Sequence, residues 1–198
     1  MAGSLFLRTT VGGLMAGHGL QKLRGSFGGP GLEGTEEMMR SLDMHPAKYQ
    51  ALAAALSETL GGGLTAAGWL SPLGPAMITG VMAVAIQKVH AKNGPWVTKG
   101  GYEYNLILMA AAFAVAADGP GAISLDFLLG KRRSGLRWGI FQLALGLASA
   151  AGTLAVAERY ASRQHEQSIV TTNGAVPGAD TAAGAAPTGR TAGTGQSA

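Results

Sequence analysis

Between Tyr49 and Ile86 the chain runs 38 residues with one charged side chain, Glu58. Such a run is too long for one membrane span of about 20 residues and suits two spans joined tightly. "WLSPLGP", Trp69 to Pro75, supplies the turn, with two prolines, a glycine and an interface-type tryptophan. A second run, Trp138 to Ala157, has 20 residues and no charge. Overall 47% of the 198 residues are hydrophobic and 13% are charged, against about 25% charged in soluble domains. The sequence therefore reads as an all-α integral membrane protein whose first partner is the lipid bilayer.

Five spans are expected: Ser4 to Gln21, Ala47 to Leu70, Leu73 to Lys88, Glu103 to Ala117, and Trp138 to about Ala157. The first is read as retained, since "MAGSLFLRTT" lacks a basic n-region and a clear small-residue cleavage site. Between the first two spans, "TEEMMRSLDMHP" predicts one short helix at the membrane surface, with Thr35 as N-cap and Glu36 and Glu37 in its first turn. The expected organisation is a four-helix membrane domain over 1–130, a basic loop and added helix over 131–160, and a Gly/Ala/Thr-rich tail over 161–198. The tail is too poor in apolar bulk to order itself.

The net charge of +4 does not form a nucleic-acid interface, because the basic residues flank apolar runs instead of building one patch with interleaved aromatics. "KRRSGLR", Lys131 to Arg137, is the one basic cluster, read as a loop anchor beside lipid headgroups. With alternating spans, Lys22, Arg24, Arg40, Lys48, Lys88, Lys92, Lys99, Arg159 and Arg163 share one face, which by count is the cytoplasmic one. The densest cluster lies on the other. The chain has no cysteine, which excludes disulfides, Cys-ligated iron–sulfur clusters and a thiol nucleophile of its own. No metal site is read from it.

Glu58 needs an explanation in such surroundings. At about 1.5 Å per helical residue, it lies roughly 18 Å from the face holding Ser4, the 69–75 turn and Asp118; His18, Gln87, Tyr104 and Asn105 lie about 20 to 21 Å in. Lys22, Lys88 and Glu103 fall just beyond. A carboxylate in hydrocarbon costs about 3 kcal/mol or more, so Glu58 is expected to point inward, paired or protonated. The layer of His18, Lys22, Glu58, Gln87, Glu103, Tyr104 and Asn105 either glues helices together through hydrogen bonds or forms a proton relay or quinone-headgroup site. A lesser reading makes His18 and His90 axial ligands of a b-type haem. Arg8, toward the opposite face, either snorkels to headgroups or pairs with Asp118 or Asp126, which frame the helix-breaking "DGPGAISLD".

In order along the chain, "LFLRTTVGGLMAGHGLQKL", "FGGPGLEGT", "SETLGGGLTAAGWLSPLGPAMITGVMAVA" and "YEYNLILMAAAFAVAADGPGAISLD" resemble the DoxX family of small bacterial membrane proteins. The resemblance covers about residues 5–126, and its motifs are HG-x-QK, E-x-x-GG and GPG-x-x-SLD. It implies four helices in the bacterial cytoplasmic membrane, associated in some branches with redox complexes and with a thiosulfate:quinone oxidoreductase subunit. Arg8, His18, Gly19, Lys22, Glu58, Gly61, Gly62, Glu103, Gly119, Gly121, Ser124 and Asp126 match its pattern. The expected function is a membrane subunit of a quinone-linked or redox and oxidative-stress oxidoreductase complex. Quinone is then the cofactor, and redox proteins are the partners that carry the redox centres. Two other classes stay open: a non-catalytic anchor recruiting soluble redox proteins through the 23–46 loop or the tail, and a small-solute transporter.

Overall fold

The computed structural model describes residues 2–174, and among them every regular element is helical. Helix α1 spans Ala2–Arg24, α2 Gly31–Ser41, α3 Ala47–Ala67, α4 Leu73–Ala85, α5 Glu103–Asp118, α6 Leu125–Leu128 and α7 Leu136–Gly174. The chain divides into two units, Met1–Arg163 and Gln164–Ala198. Packing is described for the first. Of the second, only the helical course to Gly174 is described.

Helix α7 corrects one expectation. It continues past residue 161, where the sequence places an unordered tail, because "ERYASRQHEQ" is rich in good helix formers that need no apolar bulk to keep a helix going. Residues 175–198 of that expected tail lie outside the described residues. Within α7, Leu136–Gln164 is the one stretch among the described residues that is both long and apolar enough to cross a bilayer by itself. Helices α1 and α3 have the length, 23 and 21 residues, but glycines and polar residues dilute them. Helices α4 and α5 are shorter, 13 and 16 residues.

Four helices close on one another in the order α1, α3, α4, α5 and back to α1, and α2 lies against α1 and α3. The α1–α3 seam is the closest, and glycine is the reason. A Cβ at Gly12 would sit 2.6 Å from the Gly62 carbonyl, one at Gly62 would overlap the Ala16 backbone, and one at Gly19 would overlap the Thr59 backbone. Gly13 and Gly17, on the other side of α1, have open space instead. On the far side of α3, Gly61 faces Met77 and Gly74 faces Thr65, which brings α4 in equally close. Such small-residue seams serve helix packing where lipid supplies no hydrophobic drive.

The α3–α4 turn is sharp. Gly68 takes the left-handed conformation (φ 62°), and the Trp69 and Gly68 amides donate back to the Leu64 and Thr65 carbonyls in a Schellman arrangement. Helix α7 packs on α4 and α5: Gly146 and Ser149 meet Thr79 and Gly80, and Gly139 meets Phe113. Buried Gln142 fastens this contact, its Nε2 donating to the Pro75 carbonyl (3.2 Å) and to Thr79 Oγ1.

Helix α2 begins at Gly31, earlier than the sequence reading has it. Pro30 precedes it as the capping residue (φ −73°), and Gly31 itself is left-handed (φ 69°). Thr35 is therefore no N-cap; it is fully buried inside α2, its hydroxyl donating to the Gly31 carbonyl, and Glu36 and Glu37 fall beyond the first turn.

The interior mixes apolar and polar side chains, and many large apolar side chains face outward. Arg8, Gln50, Glu58, Thr65, Thr79, Asn105, Asp126 and Gln142 are buried, while Phe6, Leu14, Leu60, Ile107, Ile140 and Phe141 are exposed.

The seam yields a paired prediction. Gly62→Ala should destabilise the protein by about 1–3 kcal/mol through forced separation of α1 and α3. Gly63→Ala, with open space around it, should stabilise by up to about 1 kcal/mol through helix propensity alone. Thermal unfolding of the two variants in detergent checks the opposite signs.

Candidate functional site

Two polar constellations hold opposite ends of the α1–α3 seam. At the end bearing the α3–α4 turn, Arg8 is 2% exposed and its guanidinium donates to the Ala66 and Ile123 carbonyls. Ala66 lies in the last turn of α3, where carbonyls lack helical partners and the helix dipole favours a cation. Asp126, fully buried, accepts from the Leu70 amide (3.1 Å) and the Ser71 amide (2.9 Å). It thereby supports Leu70 in a left-handed conformation (φ 52°) that a branched side chain disfavours. Ser124 caps α6, accepting from the Phe127 amide and donating to the Gly121 carbonyl. Gly119 (φ 83°) and Gly121 (φ 75°) make the turn out of α5.

Both readings of Arg8 from the sequence are thereby corrected. It neither snorkels nor forms an ion pair with Asp118 or Asp126; Asp118 is exposed, and Asp126 spends its oxygens on backbone amides. Main-chain carbonyls take up the two terminal nitrogens of the guanidinium while its buried Nε has no acceptor, and sequence spacing cannot reveal such partners.

At the other end, Lys22 Nζ lies 2.6 Å from Glu58 Oε2. Glu58 is 3% exposed, whereas Lys22 keeps about a fifth of its side chain accessible. The pair forms because the glycine seam puts the last turn of α1 beside the middle of α3. A lysine there also suits the negative end of the α1 dipole.

Beside this pair lies a cavity of about 570 Å³, within the range of small-molecule sites. Its walls come from α1 (Met15, His18, Lys22), α2 (Met38, Met39), α3 (Gln50, Ser57, Glu58), α4 (Met77, Met82), α5 (Tyr104, Asn105) and α7 (Ser149, Thr153). Lys88 and His90 complete it. With Met44, six of the chain's eight methionines line it.

Of the seven residues in the expected polar layer, five reach this cavity: His18, Lys22, Glu58, Tyr104 and Asn105. They do not form one hydrogen-bonded network. His18 is exposed and its Nδ1 bonds Gln21 Oε1 (3.0 Å), while buried Asn105 donates to Met82 Sδ (3.4 Å).

Gln87 and Glu103 do not join. Residues Ile86–His90 form a π-helical turn, whose extra residue rotates the rest of the segment by about 100°. Lys88 and His90 turn to the cavity and Gln87 to the outside. Glu103 accepts from the Val97 amide (2.6 Å) and stabilises the 97–99 turn.

His18 and His90, the expected haem pair, both border the cavity. His90 Nδ1 donates to the Gly100 carbonyl (2.8 Å). No cluster of three or more His, Cys, Asp or Glu that could hold a metal occurs among the described residues.

Sequence reasoning missed Gln50, Ser57, the methionines and the α7 wall. Gln50, Ser57 and Glu58 stand at helical spacings on one face of α3, a signal that was present in the sequence. The contribution of Ser149 and Thr153 had none, since it depends on how α7 docks.

No curated protein and no solved structure matches the chain. A family model, DoxX, matches residues 3–91, which takes in α1 to α4 and the π turn together with Arg8, His18, Gly19, Lys22, Glu58, Gly61 and Gly62. Glu103, Gly119, Gly121, Ser124 and Asp126 lie beyond the matched stretch. The Lys22–Glu58 pair and the glycine seam both lie inside the stretch that is similar to DoxX proteins.

Proposed function

We propose that this is a multi-pass protein of the bacterial cytoplasmic membrane, with α1, α3, α4 and α5 as a four-helix transmembrane bundle and α7 as a fifth span. It serves as the membrane subunit of a quinone-linked or oxidative-stress oxidoreductase complex. The many outward-facing large apolar side chains, together with buried Arg8, Glu58 and Asp126, support the membrane reading. So does the apolar stretch of α7. The DoxX domain supports the class.

One observation carries the site: a buried carboxylate paired with lysine in the wall of a largely apolar cavity. Conversion of a quinone to a quinol takes up two electrons and two protons. The Lys22 ammonium can donate a hydrogen bond to a quinone carbonyl. As that oxygen gains charge the ammonium would give up a proton to it, and Glu58, 2.6 Å away, would hold the ammonium in place and return to Lys22 protons taken up from water. The apolar remainder of the cavity would take the ring and the start of the tail. Electrons come from partner proteins, since the cysteine-free chain supplies neither thiol nor Cys-ligated cluster.

The anchor reading is less well supported. The 23–46 segment, its proposed recruiting loop, contains α2, whose 11 residues are docked on α1 and α3.

Two experiments test the proposal. Quinone should be extractable from the purified wild-type protein and detectable by mass spectrometry, and should be lost from Glu58→Gln at unchanged membrane abundance. A wild-type protein that neither retains nor rebinds a short-chain quinone overturns the site. Separately, Lys22→Met should cost about 3 kcal/mol by leaving Glu58 buried and unpaired, and the double change Lys22→Met with Glu58→Leu should recover most of that. Thermal unfolding of the four proteins in a double-mutant cycle reads the difference.

A further inference from the structure

The stretch from Asp118 to Trp138 lies outside the cavity and outside the Lys22–Glu58 pair, at the end that carries Arg8 and the α3–α4 turn. It holds four cations, Lys131, Arg132, Arg133 and Arg137, and two acids. Asp126 cannot neutralise them, because it is fully buried and both its oxygens accept from backbone amides. Asp118 alone is exposed. Among the described residues none of the four cations has a carboxylate within salt-bridge distance.

The cations are held in place all the same. Arg133 Nη1 donates to the Ser71 carbonyl (2.9 Å). The Arg133 and Arg137 guanidinium carbons lie 5.6 and 5.7 Å from the centroid of the Trp138 ring, and Arg132 lies 4.9 Å from that of Phe127. Two guanidinium groups against one indole repel each other unless an anion joins them. The buried indole N–H of Trp138 has no acceptor. A phosphodiester group would accept from the guanidinium groups, and arginine's planar fork suits it.

Next to this cluster, Ile123 and Leu128 are 72% and 77% exposed and Leu129 is largely exposed. Phosphate-binding cations beside outward apolar side chains match the section of a phospholipid from headgroup to upper acyl chain. A soluble anion would have no use for the apolar half.

We propose that the 118–138 segment is a docking surface for anionic phospholipid headgroups, held chiefly by Arg132, Arg133 and Arg137. The proposal rests on the reading that the chain spans a membrane.

The chain has three tryptophans, so Trp69→Phe with Trp96→Phe leaves Trp138 as the sole reporter. The full chain is reconstituted in phosphatidylcholine vesicles containing equal fractions of dibrominated phosphatidylglycerol or dibrominated phosphatidylcholine. Quenching by the anionic lipid should be at least about twofold stronger. The preference should fall to parity in Lys131→Gln/Arg132→Gln/Arg137→Gln and survive in Arg132→Lys/Arg137→Lys, which controls for folding. Millimolar inorganic phosphate should leave it intact. Equal quenching by the two lipids overturns the docking surface while the membrane reading stands. Loss of the preference to free phosphate overturns it in favour of a simple anion site. Absence of quenching by either lipid overturns both readings.

Discussion

The approach of α1 to α3 sets almost everything else. Gly12, Gly19 and Gly62 let the two backbones meet where any Cβ would intrude. Arg8 and Lys22 are 14 residues apart on α1, about 21 Å along its axis and nearly in line around it. Each therefore reaches α3, Arg8 at its terminal carbonyls and Lys22 at Glu58. A seam made only of small residues has little side-chain interlocking against sliding. A cation at each end fixes its register, with one partner a set of backbone carbonyls and the other a carboxylate.

Helices, their order and most of their limits were legible in the sequence because length, apolar runs and turn chemistry report them directly. Leu73, Glu103 and Ala47 begin helices where the patterns place them. The limits misread were those decided by something other than pattern: Pro30 starting α2 early, and the continuation of α7 on propensity alone. The candidate site was legible to the extent that depth along a helix decides it, which sufficed for Lys22 and Glu58. It failed for Gln87 because depth says nothing of azimuth, and the π turn at Ile86–His90 changes azimuth without changing composition. It failed for Glu103 because a nearby amide, that of Val97, satisfies the carboxylate first. Arg8 was recognised as needing a partner, but the partner is main chain and carries no sequence signature.

The stretch similar to DoxX ends at residue 91, yet neither polar constellation is complete within it. Ile123 and Asp126 close the Arg8 end, and Tyr104, Asn105, Ser149 and Thr153 close the cavity. The matched helices thus supply the charged centre, and the later ones supply its enclosure. Gln142 adds a further polar link between the two parts, joining α7 to α4 through Pro75 and Thr79.

The methionine lining shapes how discriminating such a chamber can be. Thioether side chains are unbranched and polarizable and have several rotatable bonds, so they reshape around guests of different outline at little cost. On the proposed reading, the six of them in the lining would tolerate ring substitution and chain branching alike. Selectivity must then come from the rigid, charged corner, which reads what a guest's polar end can accept or donate. The rest of the chamber sets an approximate size and leaves the guest's hydrocarbon identity largely unread.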